Sequence, residues 1–440
     1  MPDAIWLDSG KPNSNQGSVD IISSNPDTII ETWGELSKIT DSFGTRTSNK
    51  DPFGIVQQAL DSLMPMDPGL VNIPFTGGIL GFYGYDLGRR LVNIPDVANS
   101  ILEFPDMRVG RYLWALIIDH ITKKAEIIFH EDCEDSVKSI VIDRLMNNSK
   151  PKETGHATFR LKAPFSSSVN KSEYVSAVES IKNYILSGDC YQTNYTQHFS
   201  ASYEGDTWEA YRALRNTCAS PYSVFWQWED KTILSVSPER FLKVSYDDHR
   251  KPVVETKPIK GTIPRGQTPI EDKKNSELLM TSEKDRAENL MIVDLLRNDI
   301  SRNCETGTVS APRLFELESF PNVHHLVSTV TGRLDYRSKP LDLLRDSFPG
   351  GSITGAPKKR AMEIIEELEP VKRSVYCGSI GYLSSNGRMD TNIAIRTVIA
   401  SDSELHCWAG GGIVNDSDSE NEYRESLDKI NLIINTLETS

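Results

Sequence analysis

The chain has 440 residues, more than one ordinary domain needs, and 38% hydrophobic with 25% charged residues is the balance of a globular protein with a sizeable core. A formal net charge of −14 argues against the basic surface of a nucleic-acid binder. No apolar run approaches the ~18–20 residues of a membrane span, and the start, MPDAIWLDSG, lacks the basic and apolar regions of a signal peptide, so a cytoplasmic protein without a membrane segment is expected. The six cysteines, Cys133, Cys190, Cys218, Cys304, Cys377 and Cys407, are scattered and form no CxxC pair. That spacing predicts small buried hydrophobes, with neither a zinc site nor a disulfide framework.

In chain order, residues 9–18 (SGKPNSNQGS) read as a loop. Arg111–Ile118 and Lys124–Phe129 are rich in aromatic and branched residues and predict strands. Residues 147–157 (NNSKPKETGHA) read as a linker or long surface connection. It divides the chain into an N-terminal subdomain, 1–150, and a larger C-terminal domain, 151–440, and is too short to separate fully independent domains. Ser172–Leu186 predicts an amphipathic helix, with Tyr174, Val178, Ile181 and Ile185 on one face. Lys231–Ser237, Ser374–Leu383, Thr391–Ala400 and Glu404–Val414 predict strands. Lys284–Asn298, Lys358–Leu368 and Glu420–Leu437 predict helices. Strands cluster and helices fall between the clusters, without a regular βαβ alternation. The pattern predicts an α+β fold.

Two of the helices begin with paired acids. Asp285 and Glu288 are three apart on one face, which continues through Ile292 and Leu295. A capping box of Ser282 with Asp285 accounts for Asp285 but leaves Glu288 extending an apolar stripe. A buried carboxylate is unfavourable unless paired or bound to metal. The last helix repeats the arrangement with Glu422, Glu425 and, one turn on, Lys429. A Ser419–Glu422 capping box again leaves Glu425 unexplained. Two such carboxylates suit a hard cation, and magnesium takes few protein carboxylates.

The glycine-rich segment Pro349–Lys358 fails the phosphate-loop pattern, because Ala356 and Pro357 separate its last glycine from lysine. Pro357 suits the first turn of the helix that follows, whose backbone N–H groups could receive a carboxylate. A second cluster, Gly410 to Gly412, lies at a strand end and reads as a bulge or tight turn. Arg396, within a strand, reads alone as a surface residue. Lys260 follows in an extended segment bounded by proline and glycine, KPIKGTIPR, and alone reads as solvated. Only a desolvated or cation-neighboured lysine becomes a nucleophile at neutral pH.

Together these segments resemble one family. GDCYQTNYTQ (188–197), SPERF (237–241), PIKGTIPRG (258–266), DRAENLMIVDLLRND (285–299), HLVSTVTG (325–332), GGSITGAPKKRAM (350–362), GSIGYLSSNGRMDTNIAIRT (378–397) and AGGGIVNDSDSENEYRESLDK (409–429) are similar to the chorismate-utilising enzymes. These are the anthranilate, aminodeoxychorismate, isochorismate and salicylate synthases. The N-terminal part matches more loosely, through WLDSG (6–10) and TGGILGFYGYDLGRR (76–90). The resemblance implies a single large α+β unit like the anthranilate synthase large component. Two extended, mainly antiparallel sheets would pack as a sandwich with helices outside.

The resemblance also implies roles. Glu288 and Glu425 match the glutamates that hold magnesium, with Asp285 and Glu422 as supporting acids. Tyr382, Arg396, Gly410, Gly411, Gly412 and Lys429 match chorismate-binding residues. His325 matches a histidine close to the reacting ring, and Glu239 the acid near the departing hydroxyl. Members that attack with water carry a lysine base where this chain has Gln192, so Gln192 implies an amine-transferring member. Anthranilate synthases read Pro-Ile-Ala-Gly-Thr where this chain has Lys260. Lys260 matches the aminodeoxychorismate synthases, which serve para-aminobenzoate and folate synthesis. Anthranilate synthase is the alternative within the family. A Cys-His-Glu glutaminase triad is not visible, so the resemblance implies a heterodimer with a glutamine amidotransferase subunit that supplies ammonia.

Overall fold

In the computed structural model, all residues are described except 15–16, 67, 148–157 and 321–322. Most of the expected linker lies outside the described residues. Asn147 ends a helix begun at Asp135.

Two twelve-stranded sheets form the body. The main path of one runs Arg160–Leu161, Gln192–Glu204, Glu404–Ile413, Thr397–Ser401, Lys231–Ser237, Tyr222–Trp228, Ala4–Asp8, Val19–Ser23, Trp114–Asp119 and Lys124–Phe129. The other runs Ile259–Pro264, Val323–Arg333, Pro252–Lys257, Arg240–Tyr246, Met389–Asn392, Ser379–Ser384, Gly78–Tyr83, Met107–Tyr112, Thr28–Trp33, Leu36–Asp41 and Gly44–Ser48. The pairings along both paths are antiparallel. Residues before 150 extend both sheets at one end, so the boundary near 150 divides the chain but neither sheet.

The sheets face each other across an aromatic core. Phe82 of one sheet meets Trp226 of the other edge-on, with ring centroids 5.9 Å apart. Burying each such side chain is worth about 1.5–3 kcal/mol. Helices cover the outside. Ile430, Ile433 and Leu437 of the helix Ser419–Glu438 pack on Leu405, Cys407 and Ala409. The helix Lys171–Leu186 buries Tyr174, Val178 and Ile181, and a capping box of Asn170 with Glu173 starts it. The α+β sandwich expected from the sequence is the observed fold, and all six cysteines are buried and free.

Several expected elements differ in detail. Arg111–Ile118 is not one strand. Its first residues end Met107–Tyr112 in one sheet, and the chain bends at Leu113 into Trp114–Asp119 of the other. Thr391–Ala400 likewise divides into Met389–Asn392 and Thr397–Ser401, on different sheets, with Arg396 in the crossover at φ 51°. Ser374–Leu383 becomes a turn, with Ser374 and Cys377 at positive φ, followed by the strand Ser379–Ser384. Gly410 to Gly412 are neither bulge nor turn. They pair in register with Thr196, Tyr195 and Asn194. The last helix is capped by Asp418, and Glu422 instead accepts a hydrogen bond from the Ser417 hydroxyl at 2.7 Å, so no Ser419–Glu422 box forms. Ser282 does cap its helix, accepting from the Asp285 N–H.

Candidate active site

The site lies where the chain crosses between the sheets. Pro238 and Glu239 join Ser237 of one sheet to Arg240 of the other. Beside them runs the crossover that carries Arg396. The two are tied together, with Ser237 Oγ donating to the Ile393 carbonyl at 2.6 Å and the Ile393 N–H donating to the Glu239 carbonyl at 3.0 Å. A crossover bends the backbone away from regular pairing, so its side chains can enter the cleft at the sandwich edge.

Glu239 is buried, and Ser352 Oγ donates to its Oε1 at 2.9 Å. Burial pushes its carboxyl up to about 7, against the pull of Lys260 and the hydrogen bonds from Ser352 and the Ile259 N–H. It therefore holds a proton near neutrality.

Lys260 sits in a β-bulge. Ile259 pairs with Val327 and Thr262 with His325, so the edge strand carries one residue more than its partner over this stretch. Gly261 takes φ +84°, and a Cβ there would stand 2.9 Å from Leu279 Cδ1 and 3.0 Å from Asp285. Only glycine fits, and the bulge turns the half-buried Lys260 out of the regular pleat. Burial holds its ammonium below the usual lysine range, helped by Lys429 and opposed by Glu288, Glu239 and Glu425. The same segment binds His325. Thr262 Oγ1 and His325 Nδ1 are 2.7 Å apart, and the Gly261 backbone also bonds the ring. Burial, with the Arg396 guanidinium nearby, pushes His325 down to about 3, so it is neutral.

The paired acids arrive from two helix starts, Glu283–Ser301 and Ser419–Glu438. A Cβ on Gly411 would lie 3.3 Å from Lys429 Nζ, 3.4 Å from Glu422 Oε2 and 3.9 Å from Glu425 Oε1. The bare face of Gly411 is thus the floor under these groups. Lys429 donates to Glu425 at 2.7 Å and to the Gly410 carbonyl at 3.0 Å, and holds the Glu425 carboxyl below its usual range. Burial raises the carboxyls of Glu288 and Glu422. Next along the strand, a Cβ on Gly412 would come within 2.2 Å of Gln192 Nε2, so glycine makes room for that buried side chain. Gln192 Oε1 is buried without a hydrogen-bond partner among the described residues.

The residues present suit a magnesium ion. Among the described residues no three His, Cys, Asp or Glu side chains stand close enough together to hold a metal. Magnesium does not need three. One or two carboxylates suffice when water or substrate oxygens complete its shell. Glu288 meets that requirement from one helix and Glu425 from the other, with Asp285 and Glu422 beside them.

The structure therefore brings Glu239, Lys260, Glu288, Glu422, Glu425, Lys429, Gly410 to Gly412 and Gln192 into one cleft, with His325 and Arg396 on its flank. Tyr382 stands apart, packed edge-on against Phe75 at 6.0 Å and lying near Asp390, Arg388 and Arg240. Tyr376 is the aromatic residue on the cleft side. Its ring stacks on Trp408, two residues before Gly410, and its neighbour Cys377 lies within the field of Glu239. Sequence reading also missed Ser352 and Thr262. Both occur in the motifs quoted above, but their partners are distant in sequence, so no local pattern points to them.

Comparison with known proteins identifies the family of the chain. The model of the chorismate binding enzyme family matches residues 3–435. "Aminodeoxychorismate synthase component 1" of Salmonella typhimurium is 45% identical over 439 residues, covering 100% of this chain and 94% of that protein. The Escherichia coli protein of the same name is 44% identical over 438 residues, with the same coverage. "Anthranilate synthase component 1" of Acetivibrio thermocellus is 34% identical, covering 95% of this chain and 86% of that protein. Among solved structures, anthranilate synthase component I from Streptococcus pneumoniae superposes with a TM-score of 0.83 at 31% identity, covering 95% of this chain and 92% of that one. No helix among the described residues is long and apolar enough to cross a membrane. With the match spanning nearly its whole length, this chain belongs to the family of chorismate-binding enzymes.

Proposed function

We propose that the chain aminates chorismate at the ring carbon para to the ring carboxylate, giving 4-amino-4-deoxychorismate, as its relatives of 44–45% identity are named. The observation that carries this reading is Lys260. It is a partly buried amine, set by a bulge in the same cleft as the proton-holding Glu239.

On this reading Lys260, as free amine, attacks the ring carbon next to the ring carboxylate. The double bonds shift, and the bond to the hydroxyl across the ring breaks. Glu239 donates a proton, so the hydroxyl leaves as water. Such general acid help is worth about 10²–10⁴-fold. Glu239, now a carboxylate, takes a proton from the alkylated lysine nitrogen. Ammonia then attacks the vacated carbon and the double bonds return, while Glu239 gives its proton back to the lysine nitrogen as the C–N bond breaks, so that Lys260 leaves as the free amine. The product's new ammonium gives one proton to the Glu239 carboxylate, which restores the acid, and the net exchange is hydroxyl for amine with water released. Neutral His325 lies against the reacting ring without adding charge, and Arg396 answers a substrate carboxylate. Magnesium held by Glu288 and Glu425 would supply positive charge to the ring carboxylate.

The ammonia comes from a glutamine amidotransferase partner. The name "component 1" carried by the relatives supports a second component. The test is product analysis with chorismate, ammonium and magnesium salts. Aminodeoxychorismate is expected, and anthranilate instead would refute the reading.

A further inference from the structure

The cleft strand Gln192–Glu204 has a gap along its outer edge. On that side it pairs with Gly355–Ala356 at Gln192 and Thr193, and with Ser166–Ser167 at Phe199 and Ser200. The Asn194 N–H donates to the Thr354 carbonyl at 2.8 Å, and the His198 carbonyl accepts from the Ser168 N–H at 2.8 Å. Between these bonds, no strand among the described residues reaches the Asn194 carbonyl or the Thr196 N–H. One buried ion pair serves both groups. Glu369 Oε1 accepts from the Thr196 N–H at 2.8 Å and from the Thr196 hydroxyl at 2.9 Å, and Arg373 Nη2 donates to the Asn194 carbonyl at 3.2 Å. Within the pair, Arg373 Nε donates to Glu369 Oε2 at 2.8 Å and Nη2 to Oε1 at 2.6 Å, with Glu369 only 4% and Arg373 1% exposed.

The remaining bonds of the pair lead to the site. Arg373 Nη1 donates to the Ile353 carbonyl at 2.8 Å, so the residue after Ser352 is held by the same guanidinium. Asn194 and Thr196 lie opposite Gly412 and Gly410, and Gln192 is two residues back along the same strand. A buried ion pair adds little net stability over an apolar one, so fixing a geometry is the better reason for one bonded at every corner. We propose that the Glu369–Arg373 pair stands in for the missing strand and so positions the active site, holding the Ser352 loop against the Gln192 strand with Ser352 on Glu239. The inference rests on the amination reading of the cleft. Both are positioning residues, because they act through Ser352 and the strand backbone.

The test is steady-state turnover of the full chain with chorismate, ammonium and magnesium salts, read as chorismate consumed, beside thermal melts. Arg373→Lys keeps the charge but loses the fork that spans Glu369 and two carbonyls. Breaking a buried pair in this way should lower the melting point by roughly 3–5 °C. A shift of the site by about 1 Å should also lower kcat about 10²-fold at a temperature where the variant is folded. Ile30→Ala, a cavity in the strand Thr28–Trp33, should melt comparably low with parental turnover. With Ser352 loosened, Glu239 loses a bond that favours its carboxylate, so the high-pH limb of the Arg373→Lys rate profile should move to higher pH. If Arg373→Lys does not fold, Thr196→Val carries the test, because it removes one bond to Glu369 and keeps the ion pair. Its kcat should fall about tenfold while it melts within about 2 °C of the parent. Near-parental turnover or an unmoved limb in Arg373→Lys, near-parental turnover in Thr196→Val, or an equal loss of turnover in Ile30→Ala overturns the proposal. A parent that makes anthranilate refutes the proposed function and leaves this test standing, since chorismate consumed is what it reads. A parent that consumes no chorismate refutes both.

Discussion

Replacing Glu239 with Gln separates what its burial does to the fold from what its proton does to the substrate. The folded-state carboxyl titrates at about 7, against an ordinary 4.5. At about 1.4 kcal/mol per pKa unit, the ionised form is disfavoured in the fold by roughly 3 kcal/mol. The raised value means that the folded protein holds the proton more tightly than the unfolded chain. As pH rises between 4.5 and about 7, the unfolded chain releases its proton first, so stability falls across that window and levels off above it. Gln carries no charge, and its Oε1 still accepts from Ser352. Glu239→Gln should therefore match the parent near pH 4.5 and exceed it by roughly 3 kcal/mol above about pH 8. With an unfolding entropy of about 2.1 cal/mol/K per residue, that is a shift of roughly 3 °C in thermal midpoint for a chain of 440 residues. Paired melts at about pH 5 and about pH 8.5 read the difference directly, and ammonium-dependent turnover of the same samples should drop about 10²–10⁴-fold. A stability difference that does not change with pH would refute the burial argument. Near-parental turnover would refute the role of Glu239 as acid.

Lys260→Ala should lose the para product and form ortho-aminated intermediate or anthranilate slowly, which chromatography of the products resolves. Lys260→Arg keeps the charge but not the nucleophile, so aminodeoxychorismate made at near-parental rate by this variant would exclude the covalent step. Glu288→Gln and Glu425→Gln should fold normally but turn over chorismate negligibly at any magnesium concentration, and chelation of the parent should be reversed by added magnesium. Full activity in excess chelator would exclude the metal. The purified chain should use ammonium but not glutamine until the amidotransferase component is added, measured by product formed from each nitrogen source.

What the sequence revealed follows from the range of the interactions involved. Lys124–Phe129 and Lys231–Ser237 are the strands expected, because each run is bounded by local turn residues. Arg111–Ile118 and Thr391–Ala400 look like single strands in the sequence because nothing local marks their breaks. Leu113 and Arg396 bend because the two halves pair in different sheets, which is a tertiary constraint. The same limit applies to the site. The acids Asp285 with Glu288 and Glu422 with Glu425 could be placed on shared faces from helical spacing alone. The bond from Ser352 to Glu239 spans 113 residues and leaves no periodic trace. Gly410 to Gly412 looked like a turn. Their true reason is that the space a Cβ would fill is taken by the Tyr195 and Thr196 backbone at Gly410, by Lys429, Glu422 and Glu425 at Gly411, and by the Gln192 side chain at Gly412.

The charges of the cleft give the metal reading its physical logic. Asp285, Glu288, Glu422 and Glu425 contribute four negative charges when ionised. Lys284 and Lys429 offset two of them, while Lys260 must be neutral to attack and Glu239 protonated to donate. The cleft poised for reaction is thus left with two uncompensated negative charges, and chorismate brings two carboxylates. Arg396 can answer one of those. Two like charges 4 Å apart repel by about 1 kcal/mol in water and by several in a partly desolvated cleft, so the acids alone would expel the other. A divalent cation held by Glu288 and Glu425 would reverse that sign, turning a surface that repels the ring carboxylate into one that binds it. On the proposed reading, the acidic helix starts are the condition for binding an anion through a metal. The prediction that Glu288→Gln and Glu425→Gln lose turnover follows even though each substitution removes negative charge. If charge repulsion alone governed binding, both variants would bind chorismate better without metal. Tighter chorismate binding by the metal-free variants, joined with retained turnover, would overturn this account.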